Sequence, residues 1–229
     1  MLMGTRLHPE AWFYGKTPGR GEQRVKLHRL ISRLPKRSKL PKVFGVGLNK
    51  TGTKSLAASL ERFGYCGCNY DLALTRAVME GRMAPVWRTV RRYDCFEDWP
   101  WPLIYRELDQ RYPGSKFILT IRLSSEIWMK SLMKHAERIG PTEFRKLVYG
   151  YEMPHGHEEE HIRFYEEHNR AVRNYFRERP DQFLEVCWEK GDGWPEICSF
   201  LGVPLVTDEP FPHLNSSAMF QNQAVEVNT

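Results

Sequence analysis

The sequence predicts a three-layer α/β domain with a mainly parallel central sheet flanked by helices. Three observations carry that expectation. Short apolar runs alternate with amphipathic stretches from Lys42 to Leu201, the rhythm of parallel strands joined by crossover helices. A glycine-bearing turn joins the first strand to the first helix of that series, in Lys42 to Leu56. Residues suited to hold an anion fall where predicted strands end, the edge at which such sheets bind ligands.

Taken in order, residues 1–41 form an irregular basic extension. Inside it Arg24 to Leu34 has a helical pattern through Val25, Leu27, Leu30, Ile31 and Leu34, and Pro35 breaks it. The domain proper spans 42–215, and 216–229 reads as a mobile tail. Lys42 to Gly47 is the first strand and Thr53 to Phe63 its helix, with Gly64 as C-cap. Tyr65 to Tyr70 is a short strand or connection, and Asp71 can N-cap a helix from Leu72 to Arg82. Pro85 to Arg92 has helical character. Pro100 and Pro102 forbid regular structure, so Tyr93 to Pro102 is a strand end and a rigid turn. Leu103 to Tyr112 is a helix ended by Pro113-Gly114. Lys116 to Ile121 is the clearest buried strand, with Arg122 at its carboxyl end. A helix from Glu126 to Ile139 follows, preceded by Ser124 and Ser125. Pro141 to Gly150 is a short helix and His157 to Arg179 a long charged one. Gln182 to Trp188 is a last strand, and the loop Glu189 to Gly193 leads into the helix Trp194 to Leu201.

The chain has 229 residues and net charge +6, which suits one domain with a sizeable core. The basic balance suits a polyanionic small ligand, and also nucleic acid or an anionic membrane surface. No run approaches the ~18 apolar residues of a membrane span, and Leu7 to Arg20 is too broken by Pro, Gly and charge for a signal peptide. Five cysteines without paired C-x-x-C units predict free thiols in a reducing, cytoplasmic setting.

Within KVFGVGLNKTGTKSL, Gly47 and Gly52 have the spacing of the nucleotide-triphosphate loop G-x-x-x-x-G-K-[ST], but Thr53 stands where the lysine belongs. The cations are Lys50, two residues before Gly52, and Lys54, after the threonine. Backbone N–H groups of such a loop and of the following helix converge on an anion.

Lys50-Thr51-Gly52-Thr53 resembles the 5′-phosphosulfate loop of the sulfotransferases, P-loop NTPase-like enzymes that take a sulfuryl group from 3′-phosphoadenosine-5′-phosphosulfate (PAPS). The resemblance implies that Asn49, Lys50, Thr51, Gly52, Thr53, Lys54 and Ser55 line the 5′ end of the donor, and that Lys50 reaches the oxygen bridging phosphate and sulfate. Tyr112 to Arg122 resembles the second signature of that family, in which a strand-end arginine and a serine of the next helix hold the 3′-phosphate. Arg122 maps directly. The serine falls at Ser131, one residue beyond the usual spacing, which lands on Lys130; Ser124 is a further substitute. Asp98 stands where relatives carry the histidine or glutamate that takes the acceptor's proton, with Glu97 and Glu61 as alternates; a plain turn or cap before Pro100 is the competing role for Asp98. Glu189 to Trp194 and Phe211 to Asn215 resemble late segments of the superfamily, which gives Lys190 and Gly191 to the loop over the 3′-phosphate. The tryptophan that stacks adenine in cytosolic members is absent, since Ser55 occupies its place. The resemblance implies PAPS as donor, 3′-phosphoadenosine-5′-phosphate (PAP) as product, no metal requirement, a small-molecule or glycan acceptor, and no nucleic-acid partner.

Two other enzyme readings compete. A P-loop kinase would hold Mg²⁺ with the loop hydroxyl and an acid ending a neighbouring strand; the strongest neighbouring strand ends in Arg122, which favours sulfuryl transfer. His157-Glu158-Glu159-Glu160-His161 matches the H-E-x-x-H zinc-protease pattern, but its acidic x positions and Arg163, Glu166 and Glu167 read as a solvated helix face, with His155 and His168 available only to an adventitious metal. A binding protein that kept the nucleotide cradle without catalysis is the nonenzymatic reading.

Overall fold

The computed structural model describes residues 40–214. The expected helix at 24–34, most of the basic extension, and the tail from Asn215 onward lie outside the described residues. The sheet has five strands, β1 (Val43–Gly45), β2 (Gly67–Cys68), β3 (Cys95–Phe96), β4 (Lys116–Thr120) and β5 (Phe183–Val186). All pair in parallel, in the order β2-β3-β1-β4-β5. Eight α-helices accompany them among the described residues: α1 (Thr53–Arg62), α2 (Leu72–Met79), α3 (Ala84–Val90), α4 (Tyr105–Arg111), α5 (Ser125–Ile139), α6 (Glu143–Tyr149), α7 (Glu158–Phe176) and α8 (Trp194–Leu201).

The layers follow from the strand period of two. Phe44, Phe96, Phe117 and Leu119 point to one face and pack with residues of α2, α3, α4 and α7, including Leu74, Val86, Leu108 and Phe176. Phe44 lies between Phe96 and Phe117, with ring centroids 4.8 and 5.4 Å apart. Val43, Ile118 and Val186 point the other way, onto Leu56 and Leu60 of α1 and Ile197 and Leu201 of α8. Strands covered on both faces become continuous apolar runs, which is why KFILTI was the most legible strand. A third cluster, Leu48, Trp99, Trp128, Leu132 and Tyr165, sits at the loop after β1 and brings α5 and α7 over the carboxyl edge of the sheet.

Side-chain caps set three of the eight described helix starts. Asp71 Oδ1 accepts from the Leu74 N–H at 2.9 Å, Ser124 Oγ from Ile127 at 3.3 Å and Thr142 Oγ1 from Arg145 at 3.3 Å. Several elements are shorter than their sequence pattern. Trp101–Leu103 form a 3-10 turn, so α4 begins two residues after the expected Leu103. Gly81, with φ +73°, closes the turn after α2 where the pattern had run on to Arg82.

Because β1 is central, its carboxyl end lies between β3 and β4. The crossover after β1 runs toward β2 and the one after β4 toward β5, which opens a crevice between the carboxyl ends of β1 and β4. The turn after β1, the acids after β3, Arg122 after β4 and the turn after β5 share that edge.

Candidate functional site

The turn after β1 is held by its carbonyls. His168 donates from Nε2 to the Val46 carbonyl at 2.7 Å; burial pushes its ring down to about 4, so it is neutral. The Thr51 hydroxyl reaches the Leu48 carbonyl and the Thr120 hydroxyl, each at 2.6 Å. The Trp128 indole donates to the Asn49 carbonyl at 2.9 Å, Arg122 Nη1 to the Lys50 carbonyl at 3.0 Å and the Trp188 indole to the Gly52 carbonyl at 3.2 Å. The N–H groups of residues 48–51, by contrast, make no hydrogen bond with the described residues. A run of free N–H groups opening a helix is a cradle for an anion.

Two sequence-based assignments change here. The Asn49 amide oxygen and the Thr51 hydroxyl are already engaged within the protein. Asn49 Oδ1 accepts from the Tyr149 hydroxyl, and Thr51 is 1% exposed and turned into the sheet. Both leave a backbone N–H free in the turn. Ser55 is likewise engaged, since its hydroxyl accepts from the Leu214 N–H at 3.0 Å.

Gly47 and Gly52 are required by space. A Cβ on Gly47 would lie 2.1 Å from Thr120 Oγ1, and one on Gly52, whose φ is +89°, 2.4 Å from the Trp188 ring. Gly52→Ala is expected to lose roughly 2–4 kcal/mol of stability by combining positive-φ strain with a ring clash, read as a lowered urea midpoint at unchanged slope.

Among the described residues, Lys50 (φ +71°) and Asp98 (φ +65°) are the non-glycine residues with positive φ. Backbone strain of this kind persists where surrounding structure over-determines it, and it gathers at functional sites. Lys50 is half-buried in its loop. Burial lowers its pKa, the charges of Arg138, Lys54 and Arg122 lower it further, and Asp98 opposes them. Asp98 follows β3. Burial raises its carboxyl to about 6, against the Trp99 N–H, which donates to Oδ1 at 2.9 Å, and the charges of Lys50 and Lys54. The Trp99–Pro100 bond is cis. Asp98 thus fills the local turn role with one oxygen while it shares a field with Lys50.

Glu97 overturns one sequence argument. An acid does end a strand beside β1, because β3 pairs with β1 directly. Glu97 is 3% exposed with Oε2 buried and unpartnered, and burial and the Asp98 charge push it up to about 7, while the nearby Thr53 hydroxyl and the Lys54 charge pull the other way. Arg122 therefore does not stand in place of an acid; the loop has an acid on one flank and an arginine on the other. Glu61 leaves the candidate list. It lies exposed in the last turn of α1, which runs back from the loop to the start of β3, near Cys95.

Arg122 lies beside the loop through its bond to the Lys50 carbonyl. Its backbone N–H donates to the Tyr165 hydroxyl at 2.9 Å. Nη2 meets Glu189 Oε1 at 2.6 Å, and Nε is buried without a partner. Helix phase puts Ser131 on the side of α5 that carries Trp128 and His135, while Lys130 lines a surface cleft with Glu126, Lys134 and Glu158. Ser124 is the N-cap. Lys190 is exposed at the end of the 3-10 turn Trp188–Lys190, and Gly191 follows with φ +95°.

His135 was missed. Burial and the charges of Lys50, Arg138, Arg145 and Lys54 lower it to about 4, and its Nδ1 is buried without a partner. Its signal was helical spacing: four residues beyond Ser131 on one face of the same helix. Glu189 was passed over between Trp188 and Lys190, although an acid beside a phosphate loop is the residue that charge logic would question.

The H-E-x-x-H pair does not form a paired ligand set. His157 stacks on Tyr151 with centroids 3.4 Å apart, and His161 Nδ1 donates to the His157 carbonyl at 2.7 Å. His155 faces Glu137 and His168 the Val46 carbonyl. No helix among the described residues is long and apolar enough to cross a membrane.

A family model described as "Sulfotransferase domain" matches residues 42–152 and 140–220. The chain is also similar to a curated protein of Aspergillus versicolor, "Ava biosynthesis cluster protein M", with 26% identity over 220 aligned positions that cover 77% of this chain and 81% of that protein.

Proposed function

The chain belongs to the sulfotransferase domain family, and on that premise we propose that it transfers a sulfuryl group from PAPS to a hydroxyl or amine of a small-molecule or glycan acceptor. The observation that carries this reading is the pairing of two anion sites on one edge. The free N–H groups of residues 48–51 open at Lys50, and Arg122 lies one hydrogen bond away, 3.0 Å from the Lys50 carbonyl. A donor with a charged group at each end of one nucleotide suits two such anchors. The donor set fits that group: backbone N–H groups, two loop lysines and an arginine with a buried, unpartnered Nε.

PAPS, when bound, would supply the sulfuryl group on its 5′-phosphate to the acceptor's oxygen or nitrogen, with PAP as the leaving group. The chain's own part is electrostatic and positional. The N–H groups of 48–51, with Gly52, Thr53 and Lys54 at the start of α1, hold the 5′ end. Arg122 with Ser131 holds the 3′-phosphate, with Lys190 and Gly191 at its rim. Lys50 keeps positive charge where the leaving oxygen gains negative charge. Asp98 takes the acceptor's proton, for which a carboxyl near 6 is better matched than an ordinary one. His135, neutral and near Lys50, adds no further cation there. A reducing, cytoplasmic setting is part of the same proposal and fits the free cysteines.

A P-loop kinase keeps one favouring observation, the Thr53–Glu97 contact on the flank where such enzymes bind Mg²⁺. Thermal shift separates the two. PAP at about a hundredfold excess over its Kd is expected to raise the midpoint by roughly 5–10 °C without Mg²⁺. Stabilisation by ATP only with Mg²⁺, and none by PAP, would transfer the site to the kinase reading.

A further inference from the structure

Glu189 closes the anion site that Arg122 opens. Its Oε1 accepts from Arg122 Nη2 at 2.6 Å, and its Oε2 from the Leu123 N–H at 3.0 Å. One carboxylate thus takes an arginine side chain and the first backbone N–H after it, the two donors that a phosphate would take at a strand end leading into a helix. The two side chains are 23% and 31% exposed, so the pair is reachable from solvent. Arg122 also keeps a buried Nε with no acceptor, so the carboxylate does not exhaust its donors. Glu189 stands in the short 3-10 turn Trp188–Lys190, which Gly191 ends in the left-handed region. Burial alone would raise the Glu189 carboxyl, but the Arg122 bond, the Leu123 N–H and the Arg122 charge together hold it below the usual range.

We infer that Glu189 is the displaceable counter-ion of the 3′-phosphate subsite: its carboxylate occupies Arg122 and the Leu123 N–H until the 3′-phosphate of the nucleotide takes them. The inference rests on the donor assignment under Proposed function. Two consequences follow. Arg122 stays paired in the free protein, which spares it an unpaired charge at the sheet edge. The same carboxylate, released next to a bound phosphate, opposes that phosphate by like charge and hastens loss of PAP. Glu189 is a positioning and specificity residue in this role, because it tunes 3′-phosphate affinity without touching the reacting atoms. A nucleotide without a 3′-phosphate leaves Glu189 in place and is indifferent to it.

The test compares PAP with adenosine 5′-monophosphate by isothermal titration calorimetry on the wild-type chain, Glu189→Gln and Glu189→Ala. Gln keeps the shape and one acceptor oxygen, and removes the charge and the second acceptor. Both variants are expected to bind PAP about tenfold more tightly, with slower PAP dissociation, while the monophosphate affinity stays within twofold. The gain in PAP affinity should shrink as salt rises. PAP affinity unchanged or weakened in Glu189→Gln, or an equal change for both nucleotides, overturns the inference and leaves the donor assignment standing. PAP failing to bind any of the three proteins overturns the donor assignment and the inference with it. PAP binding only after the substitution supports the displacement.

Discussion

Lys50→Ala is expected to lower sulfuryl-transfer turnover by roughly 10²–10³ while PAP affinity falls by less than about tenfold, because removing one preorganised charge at a developing oxyanion costs about 2.7–4 kcal/mol. The asymmetry is the informative part. On the proposed reading the loop's N–H groups and Arg122 would hold the nucleotide in ground state and transition state alike, and the substitution leaves them untouched. The amine alone meets charge that grows as the sulfur leaves. Its position is imposed: Lys50 sits at φ +71°, with its carbonyl held by Arg122 and its charge opposed by Asp98. Alanine at that φ is also strained, so a control is needed. Lys50→Gly removes the amine and relieves the backbone, and it should be as inactive as Lys50→Ala but about 1 kcal/mol more stable. Single-turnover assays with labelled PAPS and PAP titrations on both variants check this. Turnover within twofold of wild type in either would remove Lys50 from the chemistry.

The sequence made the backbone part of this site legible because that part is local. The spacing of Gly47 and Gly52, the strand before them and the helix after them all fall within fifteen residues, and the structure keeps each. Arg122 was legible for a similar reason: β4 is a continuous apolar run, and its end is unmistakable. What was not legible depended on pairing across long separations. β3 has two residues, too few to show a period, so nothing local placed it beside β1 and set Glu97 next to Thr53. The inward turn of Asn49 and Thr51 depends on Tyr149 and Thr120, which lie 100 and 69 residues away along the chain, respectively. Glu189 reads locally as one more charged loop residue. Only the meeting of β4 and β5 brings it onto Arg122.

The same contact between β3 and β1 sets the second large effect. Asp98 is expected to give kcat/KM a rising acidic limb with an apparent pKa about 6, flat above it, and Asp98→Asn to remove the limb and lower the rate roughly 10²–10⁴-fold. The sign follows from the proton that must be taken: only the ionised carboxylate can accept it, so the rate grows as pH rises through that value. Stability moves in the opposite direction. Folding raises this carboxyl from an ordinary 3.8 to about 6, so the folded state binds the proton more tightly than the unfolded one. That contribution favours folding below about pH 4, declines as pH rises to about 6, and leaves a buried charge above it. Asparagine removes the charge and keeps an oxygen for the Trp99 N–H, so Asp98→Asn should be more stable than wild type at pH 7 by roughly 1–3 kcal/mol while it is nearly inactive. A merely structural turn residue would show neither the lost limb nor the gain. Glu97→Gln provides the neighbouring contrast: its carboxyl faces Thr53, so the variant should keep turnover within about tenfold and retain the limb. If Asp98→Asn kept the limb and Glu97→Gln lost it, Glu97 would be the base; if both kept it, the proton would leave by a group outside this pair.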